Sequence, residues 1–466
     1  MLVPRFFRQI LECKRRVAST PELPFSKLIS QERIAALLGE LNVLYRERVF
    51  SPSVTLWLFL WQVLSTDHSC RDVLARLLAF QTAQGLPPCS TQTGSYCQAR
   101  QRLPEALLSR LTRETGQELH EQALDAWHLH GRPVKIVDGA VVSMPDTAAN
   151  AKEFGKATNQ HGWVGFPLAR FVVLICQATG AVLDMASGPY QGKRTGERSL
   201  FRRLWDCLIQ GDILLGDRIF GTYTDIVRLV WRGVDVIFRL HAHRKSDFRR
   251  GKRLGHDDHL VTWRKPTRCP DGMSPAEFAA LPAELTLREV RVTVNVPGFR
   301  VRRLIVVTTL LDPQQFSQAD IANLFRHRWH AELDLRSIKT VMQMDVLRCK
   351  TPDMVRKEMW AHLLAYNLLR SVMCAAAQEA GMPVRQVSFK GTLQVLNAFY
   401  HAIISSDPDQ LEELCTTLLH AVAQHRVGDR PNRYEPRKRK RDAKPYPRLK
   451  KSRHEERKEC LSNRLQ

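Results

Sequence analysis

The sequence predicts a mixed α/β protein in which helices flank a mixed sheet and a β-rich insertion interrupts the core. Three observations lead to this fold class. Apolar residues recur at spacings of three and four along residues 24–130, which is typical of amphipathic helices. Strand-like, β-branched runs alternate with helical segments after Gly131. A further helical stretch begins at Ser317. Elements in this order build a sheet that is covered by helices.

The N-terminal region is predicted to be helical, because ISQERIAALLGELNVLY and RDVLARLLAFQ each carry apolar residues on one face. In GLPPCSTQTGSYCQARQRLPEALLSRL we expect a turn, a helix that ends before Pro104, and another helix. The middle helix would have a polar, basic face formed by Ser95, Tyr96, Gln98, Arg100 and Arg102. A DNA-contacting helix and an ordinary helical hairpin explain this face equally well, since there is no definite helix-turn-helix signature.

The sheet is predicted to begin after Gly131. PVKIVDGAVVSM is strand-like, DTAANAKEFGKATNQHGWVG a polar loop, and LARFVVLICQ and AVLDMAS a hairpin. RSLFRRLWDCLIQ is helix-like, DILLGDR a buried strand, TYTDIVRLVWRG a helix and VDVIFRLH another strand. Residues 241–313 are basic, polar and then rich in strands, whereas 317–346, 351–380 and 389–425 are helical in pattern.

The chain is strongly basic. Its 466 residues include 70 Lys and Arg against 47 Asp and Glu, a net charge of +23. Residues 426–466 hold 16 Lys or Arg and 6 Asp or Glu, a net of +10, which leaves +13 for the rest of the chain. This Pro-rich tail is expected to be extended. The charge indicates a polyanionic partner, most often nucleic acid; charge that only keeps the protein soluble is the alternative.

Several classes of protein are excluded. The longest apolar run, residues 56–64, is far shorter than the ~20 residues that span a bilayer. The start MLVPRFFRQILECKRR has no apolar signal core. Eleven scattered cysteines without C-x-x-C indicate reduced thiols and no zinc site, and the 16 histidines show no metal-ligand spacing. We therefore expect a cytoplasmic protein without a membrane partner.

Two acidic residues stand at the ends of strand-like runs. Asp138 follows the apolar run Val134–Val137, and Asp217 follows Ile213–Leu215. Each has an ordinary explanation when taken singly, because Asp-Gly is a common turn pair and an Asp after a strand can cap a helix.

A third acid belongs to a charged stripe. At about 100° per residue, Phe325, Arg328, Glu332 and Lys339 share an arc of about 60° on one helix face, beside an apolar arc. A carboxylate between two cations suits a metal-binding acid with phosphate clamps around it. A surface helix with i,i+4 ion pairs is the alternative.

Taken together, the three acids satisfy one chemical requirement. Transfer at a DNA phosphodiester needs charge stabilisation on the attacking and leaving oxygens, which two Mg²⁺ ions about 4 Å apart provide when a few carboxylates hold them. Carboxylates that lie so close repel one another unless cations neutralise them.

These residues carry a resemblance to a known family. The spacing Phe325-x2-Arg328-x3-Glu332-x6-Lys339 resembles, with one change, the Y-x2-R-x3-E-x6-K signature of the insertion-sequence-four family of DDE transposases. VDGAVVSMPDT and LLGDRIFGTY are similar to its first two acidic motifs, and the 115-residue interval between Asp217 and Glu332 holds a β-rich insertion. SYCQARQRLP and the basic tail also resemble segments of this family, so that the resemblance covers about residues 30–450.

The resemblance implies an RNase H-like mixed-sheet core in which Asp138, Asp217 and Glu332 are the catalytic, metal-binding residues for two Mg²⁺ ions, with Mn²⁺ as a substitute. It implies that Arg328 and Lys339 bind phosphates and that Phe325 takes the tyrosine position without its hydroxyl. The full set of candidate DNA-binding residues is Phe325, Arg328, Lys339, Arg218, Trp329 and Arg336. Glu197 is a candidate for a supporting role. Ala140 stands where the family usually has Ser or Thr.

The expected organisation has six segments. They are a helical DNA-end-binding region at 1–130, the first core part at 131–240, a β-rich insertion at 241–315, the last core part with the catalytic helix at 316–375, a helical region and candidate dimer contact at 376–425, and a basic tail at 426–466.

The implied function is that of a bacterial insertion-sequence transposase that cuts and pastes DNA. Its partners would be double-stranded DNA, as terminal inverted repeats and target, and a second copy of the chain in a synaptic complex; its place would be the bacterial nucleoid. The implied route has end nicking, a hairpin and strand transfer. Two alternatives stay open: an RNase H-like nuclease without strand transfer, and a catalytically inactive DNA-binding repressor.

Overall fold

The computed structural model describes most of the chain. The described residues are 29–45, 49–83, 85, 87–159, 162–293, 303–405, 408–428 and 453–462. Most of the basic tail expected at 426–466 lies outside them, as does the whole of 1–28. Among the helices that are described, none is both long and apolar enough to cross a membrane.

Fifteen α-helices lie in the described part of the chain. Before the sheet come α1 (Gln31–Glu40), α2 (Pro52–Leu64), α3 (Cys70–Ala83), α4 (Gly94–Arg102) and α5 (Glu105–Glu121). Among the strands lie α6 (Ala148–Phe154), α7 (Glu197–Phe201), α8 (Tyr223–Trp231) and α9 (Pro275–Ala280). After the strands come α10 (Gln318–His327), α11 (Trp329–Arg336), α12 (Pro352–Glu379), α13 (Phe389–Ser405), α14 (Pro408–Gln424) and α15 (Arg453–Ser462).

Ten strands in the described part of the chain form one mixed sheet. They are β1 (Val134–Ser143), β2 (Lys156–Asn159), β3 (Gly162–Cys176), β4 (Val182–Pro189), β5 (Ile213–Gly216), β6 (Asp235–Arg239), β7 (Lys252–Gly255), β8 (Asp258–Arg264), β9 (Glu284–Thr293) and β10 (Arg303–Thr308). The order is β2-β3-β1-β5-β6-β10-β9-β8-β7, with β4 also paired to β3. The predicted mixed sheet is therefore confirmed.

The core of this sheet has three parallel strands and an antiparallel pair. β1 runs parallel to β5, and β5 parallel to β6. β3 is antiparallel to both β1 and β4. This arrangement is the RNase H-like mixed sheet that the resemblance implies. β5 and the three central residues of β6, Val236–Phe238, are apolar and buried, because a parallel strand is covered by helices on both faces.

The strands of the β-rich segment continue the same sheet. β10 pairs antiparallel with β6, and β9, β8 and β7 follow outward in antiparallel order. The insertion thus extends the core sheet beyond β6.

Helices cover both faces of the sheet. On one face α5 lies against β4, and α12, buried along most of its length, packs against α5. A Cβ on Gly116 of α5 would lie 2.1 Å from the Val182 carbonyl oxygen, so glycine permits this close helix–strand contact. On the other face α7, α8 and the 3₁₀ turn Arg202–Cys207 enclose a second apolar cluster.

Two local predictions differ from the structure. The loop expected after β1 contains α6, which begins where the Thr147 hydroxyl accepts a hydrogen bond from the Asn150 N–H, as an N-cap residue does. The helix expected over 317–346 is divided at Arg328 and ends in a π-helical turn, Ser337–Val341.

Candidate active site

Asp138 and Asp217 occupy matching positions on neighbouring strands. Ile136 of β1 pairs with Leu215 of β5, and each aspartate lies two residues further along its strand direction. Side chains two apart in a strand point to the same face, and adjacent strands lie about 4.8 Å apart. The side chains of Asp138 and Asp217 therefore leave the same face of the sheet, beside the end of β5. This is the face that Ile136 and Leu215 share with the apolar side of α11.

Asp138 lies in a crowded electrostatic environment. Its Oδ1 accepts a hydrogen bond of 2.8 Å from the Gly139 N–H. Burial, assisted by the negative charges of Glu332 and Glu197, raises the pKa of Asp138 to about 6, against the opposing effects of that hydrogen bond and of Arg328. Glu332 and Arg328 therefore lie within electrostatic range of Asp138.

Glu332 forms an ion pair with Arg328. The Arg328 Nη2 donates to Glu332 Oε1 at 2.9 Å across one helical turn, with side chains 18% and 39% exposed, respectively. Arg328 sits at the tight junction between α10 and α11, where its N–H donates to the Phe325 carbonyl at 3.2 Å. The junction aims both side chains to the same side of the helix.

The remaining members of the predicted stripe differ in exposure. Phe325 is buried, and its ring centroid lies 6.0 Å from the Arg328 guanidinium carbon. The ring therefore packs against the guanidinium of Arg328. Lys339 is half-buried in the π-helical turn, whose extra residue moves it from the angle that a regular α-helix predicts. Of the other candidate DNA-binding residues, Arg218 and Arg336 are exposed and Trp329 is 40% exposed.

Glu197 approaches the site from α7. A Cβ on Gly139 would lie 2.9 Å from the Glu197 carboxyl carbon, so the glycine after Asp138 leaves space for this side chain. Glu197 thereby contributes negative charge beside Asp138.

The sequence interpretation missed Asp334 and its partners. This aspartate is buried on α11, two residues after Glu332, and it accepts from Arg370 of α12 and, at 2.8 Å, from Arg385. Arg385 also donates to the Gln177 carbonyl at the end of β3 at 2.8 Å. A signal was present, because Asp334 lies beside the apolar arc of its helix, where an unpaired carboxylate would be costly.

The expectation for α4 also needs revision. Tyr96 is fully buried and Arg100 is 8% exposed, so these two members of the polar face point into the protein. Both donate to Gln62 Oε1, at 3.0 and 3.1 Å. A DNA contact by α4 would have to use its other side.

The acids do not form a closed metal cage. Within the described ranges, no three His, Cys, Asp or Glu side chains are grouped so that they could hold a metal ion. Their chemistry nevertheless suits one, because carboxylate oxygens are the ligands that Mg²⁺ prefers. The raised pKa of Asp138 comes mainly from its burial, with smaller contributions from the negative charges of Glu332 and Glu197.

Comparison with known proteins identifies the family of this chain. A family model described as the transposase DDE domain matches residues 129–368, more than half of the chain. The transposase InsG for insertion sequence element IS4 of Escherichia coli strain K12 is 26% identical over 400 residues, which cover 84% of this chain and 85% of that protein.

Two further proteins are similar over less sequence or at greater distance. The transposase for insertion sequence element IS421 of Escherichia coli is 29% identical over 69 residues, 15% of this chain and 19% of that protein. Among solved structures, the piggyBac transposase synaptic complex with hairpin DNA has a TM-score of 0.41 and 10% identity, covering 88% of this chain and 85% of that one. That likeness is too remote to add to the assignment. The protein belongs to the transposase DDE domain family, as a transposase of the insertion-sequence-four type.

Proposed function

We propose that this protein moves an insertion sequence by metal-dependent DNA cleavage and strand transfer, with Asp138, Asp217 and Glu332 as its catalytic residues. The observation that carries this proposal is the matched register of Asp138 and Asp217, together with the electrostatic coupling of Asp138 to Glu332. Under this proposal, the three carboxylates come from β1, from the end of β5 and from α11, and they act together at this edge of the sheet.

These three carboxylates would hold the metal ions, Mg²⁺ or Mn²⁺. When bound, the ions stabilise charge on the attacking and leaving oxygens of the phosphodiester. To bind a metal ion, Glu332 would have to release Arg328. The Arg328 guanidinium would then be available to a DNA phosphate. The fork of the guanidinium suits a phosphate as well as it suits a carboxylate.

The basic and aromatic residues around the acids would position the DNA. Arg328 and Lys339 would bind phosphates of the transposon end, and the exposed Arg218 and Arg336 would extend this contact. Trp329 would stack on an unpaired base, since every base offers a π-face. Phe325 would hold the Arg328 guanidinium in position through its ring face.

The proposed reaction is a series of in-line displacements at one site. Water frees a 3′-hydroxyl at the transposon end, and this hydroxyl attacks the opposite strand to give a hairpin and release the flanking DNA. A second water molecule hydrolyses the hairpin, and the regenerated 3′-hydroxyl then attacks a target phosphodiester and displaces a 3′-hydroxyl of the target. No side chain forms a covalent bond to DNA. Two ends must be held together, so we propose a homodimer on the DNA. The strands β1 and β5, which position Asp138 and Asp217, would keep these side chains in a fixed geometry through the repeated steps.

Cleavage of DNA that carries the element's terminal repeats tests the proposal. Asp217→Ala should abolish nicking while repeat binding persists. Asp206→Ala is the matched control, because its side chain is 95% exposed on the opposite helical layer. Nicking by Asp217→Ala at the wild-type rate would refute the assignment.

A second assay separates transposition from its alternatives. A pre-cut end incubated with target DNA and Mg²⁺ should become joined to the target. A nuclease would cut intact ends without joining the pre-cut one, and a repressor would bind without doing either.

A further inference from the structure

Two cysteine thiols touch each other in the N-terminal helical region. Cys70 is the first residue of α3, and Cys97 lies in the first turns of α4. Their sulfur atoms are 3.8 Å apart. Both residues are free thiols of intermediate exposure, so a small oxidant can reach them.

A buried arginine lies against both sulfurs. The Arg100 Nη2 is 3.2 Å from Cys70 Sγ and 3.7 Å from Cys97 Sγ. Arg100 is 8% exposed, and no carboxylate in the described part of the chain comes within 4.0 Å of its guanidinium. Its remaining contacts are Gln62 Oε1 and the ring faces of Phe59 and Tyr96.

A buried guanidinium normally has an anionic partner, because an unpaired buried charge is costly. Among the described residues, the two thiols are the groups within hydrogen-bonding distance of Arg100 that can become anions, and the buried Glu358 carboxyl lies further away, within electrostatic range. Burial raises the pKa of Cys70, and the positive charge of Arg100 opposes that rise. The pKa of Cys70 stays above its ordinary value, but Arg100 makes the thiolate, the nucleophilic form of cysteine, more accessible than burial alone would allow.

We propose that Cys70 and Cys97 form a peroxide-oxidisable dithiol whose disulfide ties α3 to α4. The thiolate of one cysteine attacks a peroxide oxygen and breaks the O–O bond, which gives a sulfenic acid and hydroxide. The second thiolate attacks the sulfenic sulfur, the S–S bond forms, and hydroxide leaves. In total two thiols lose two electrons and two protons, and one hydrogen peroxide becomes two water molecules.

The link would act as a reversible clamp on the N-terminal helices. It would close the chain from Cys70 to Cys97, including the loop between α3 and α4, and so restrict the unfolded and locally opened states. A thiol reductant restores both cysteines by exchange. The proposal does not depend on the catalytic assignment. Both cysteines belong to helices that precede the sheet, whereas the three acids belong to β1, the end of β5 and α11.

The experiment uses the full-length chain treated with hydrogen peroxide, followed by alkylation, trypsin digestion and mass spectrometry. Because Cys89 and Cys97 share a tryptic peptide, the Cys89→Ser background makes the assignment unique. We expect a Cys70–Cys97 linked peptide, 2 Da lighter than the sum of its parts, that dithiothreitol removes. We also expect a higher melting temperature for the oxidised form. Peroxide that gives no such peptide, or only sulfinic acid at separate cysteines, overturns the proposal.

A pair of arginine variants tests the role of the guanidinium. Arg100→Met should slow oxidation about tenfold or more at neutral pH, because the thiolate loses its counter-charge. Arg102→Met, at an exposed position of the same helix, should oxidise at the wild-type rate. Equal rates in the two variants would contradict the activation by Arg100. The linked peptide in wild-type protein tests the disulfide even if Arg100→Met unfolds.

Discussion

Arg328 donates a hydrogen bond of 2.9 Å to Glu332, and both residues lie within electrostatic range of Asp138. A partly exposed i,i+4 ion pair of this kind contributes only about 0.5 kcal/mol, so each group can readily exchange its partner for another. Under the proposed function, this pair keeps the Glu332 carboxylate neutralised until a metal ion and a DNA phosphate compete for the two groups.

Replacing Arg328 should weaken DNA binding in a salt-dependent manner. In Arg328→Met we expect repeat binding to fall and the slope of log K against log salt to decrease by about 1, because one phosphate contact is lost. Arg232→Met removes an arginine from a more exposed ion pair, with Asp206, and should leave the slope unchanged. Filter binding across a range of salt concentrations measures both. An unaltered slope in Arg328→Met would remove Arg328 from the phosphate contacts.

The buried carboxylate of Asp334 should be important for stability. Asp334→Asn leaves Arg370 and Arg385 without their common anion, and losing one partner of a buried ion pair costs about 3–5 kcal/mol. Asp72→Asn breaks the exposed pair with Arg76 and should cost less than about 1 kcal/mol. Urea unfolding compares the two. Equal midpoints would mean that the Asp334 network contributes no more than a surface pair.

Alanine at Gly116 should destabilise the protein although it improves helix propensity. The added methyl group would lie 2.1 Å from the Val182 carbonyl oxygen and 3.2 Å from Asn367 Nδ2, and overpacking of this kind costs about 1–3 kcal/mol. Gly39→Ala in α1 meets nothing within 4 Å and should stabilise by up to about 1 kcal/mol. Thermal unfolding should therefore shift in opposite directions, and a shift in the same direction would contradict the helix–strand contact.

Buried neutral histidines should make the fold sensitive to acid. Burial, with a smaller effect of His68, lowers the pKa of His362 to about 3, whereas an unfolded histidine titrates near 6.5. The unfolded chain therefore takes up a proton first as pH falls. Stability is complete above pH 6.5 and decreases by up to about 1.4 kcal/mol per pH unit, for each such histidine, between that value and the folded pKa.

His120 and His330 respond in the same direction, because burial lowers their pKa values to about 4 and about 3. Urea unfolding at pH 7, 6 and 5 should show a falling free energy of unfolding. In His362→Leu, the slope of the unfolding free energy against pH should be smaller by the contribution of one proton, about 1.4 kcal/mol per pH unit. A free energy that is independent of pH over this range would show that the buried histidines are protonated without cost.

Much of the sheet could be predicted from the sequence because its strands are marked by local composition. The apolar runs before Asp138 and Asp217 identified two strands, and the parallel pairing of those strands then puts the two aspartates at matching positions. The antiparallel continuation from β6 to β10 was not predictable, because a strand pattern does not show which edge it joins.

The details of the third acid depend on contacts between distant segments. A regular helix was assumed across Arg328 and Lys339, whereas the structure has a tight junction at Arg328 and a π-helical turn at Ser337–Val341. Such irregularities arise from tertiary packing and leave no clear pattern in the sequence. Arg370 and Arg385 bind Asp334 from 36 and 51 residues away, so periodicity within α11 could not reveal them.

The buried side of α4 illustrates the same limit. Tyr96 and Arg100 have the composition of a surface face, but Gln62 of α2 supplies a common acceptor for both inside the protein. Polar residues at helical spacing therefore indicate a polar environment and do not distinguish solvent from a buried network.

The central claim is that Asp138, Asp217 and Glu332 together hold the metal ions for DNA transfer. It is tested most directly by a crystal structure of the protein with a pre-cut terminal-repeat DNA and Mn²⁺, in which anomalous scattering locates the ions. We predict anomalous peaks bound by carboxylate oxygens of all three residues, with Arg328 turned from Glu332 to a phosphate. Peaks elsewhere, or ions held without Asp217 or Glu332, would contradict the account.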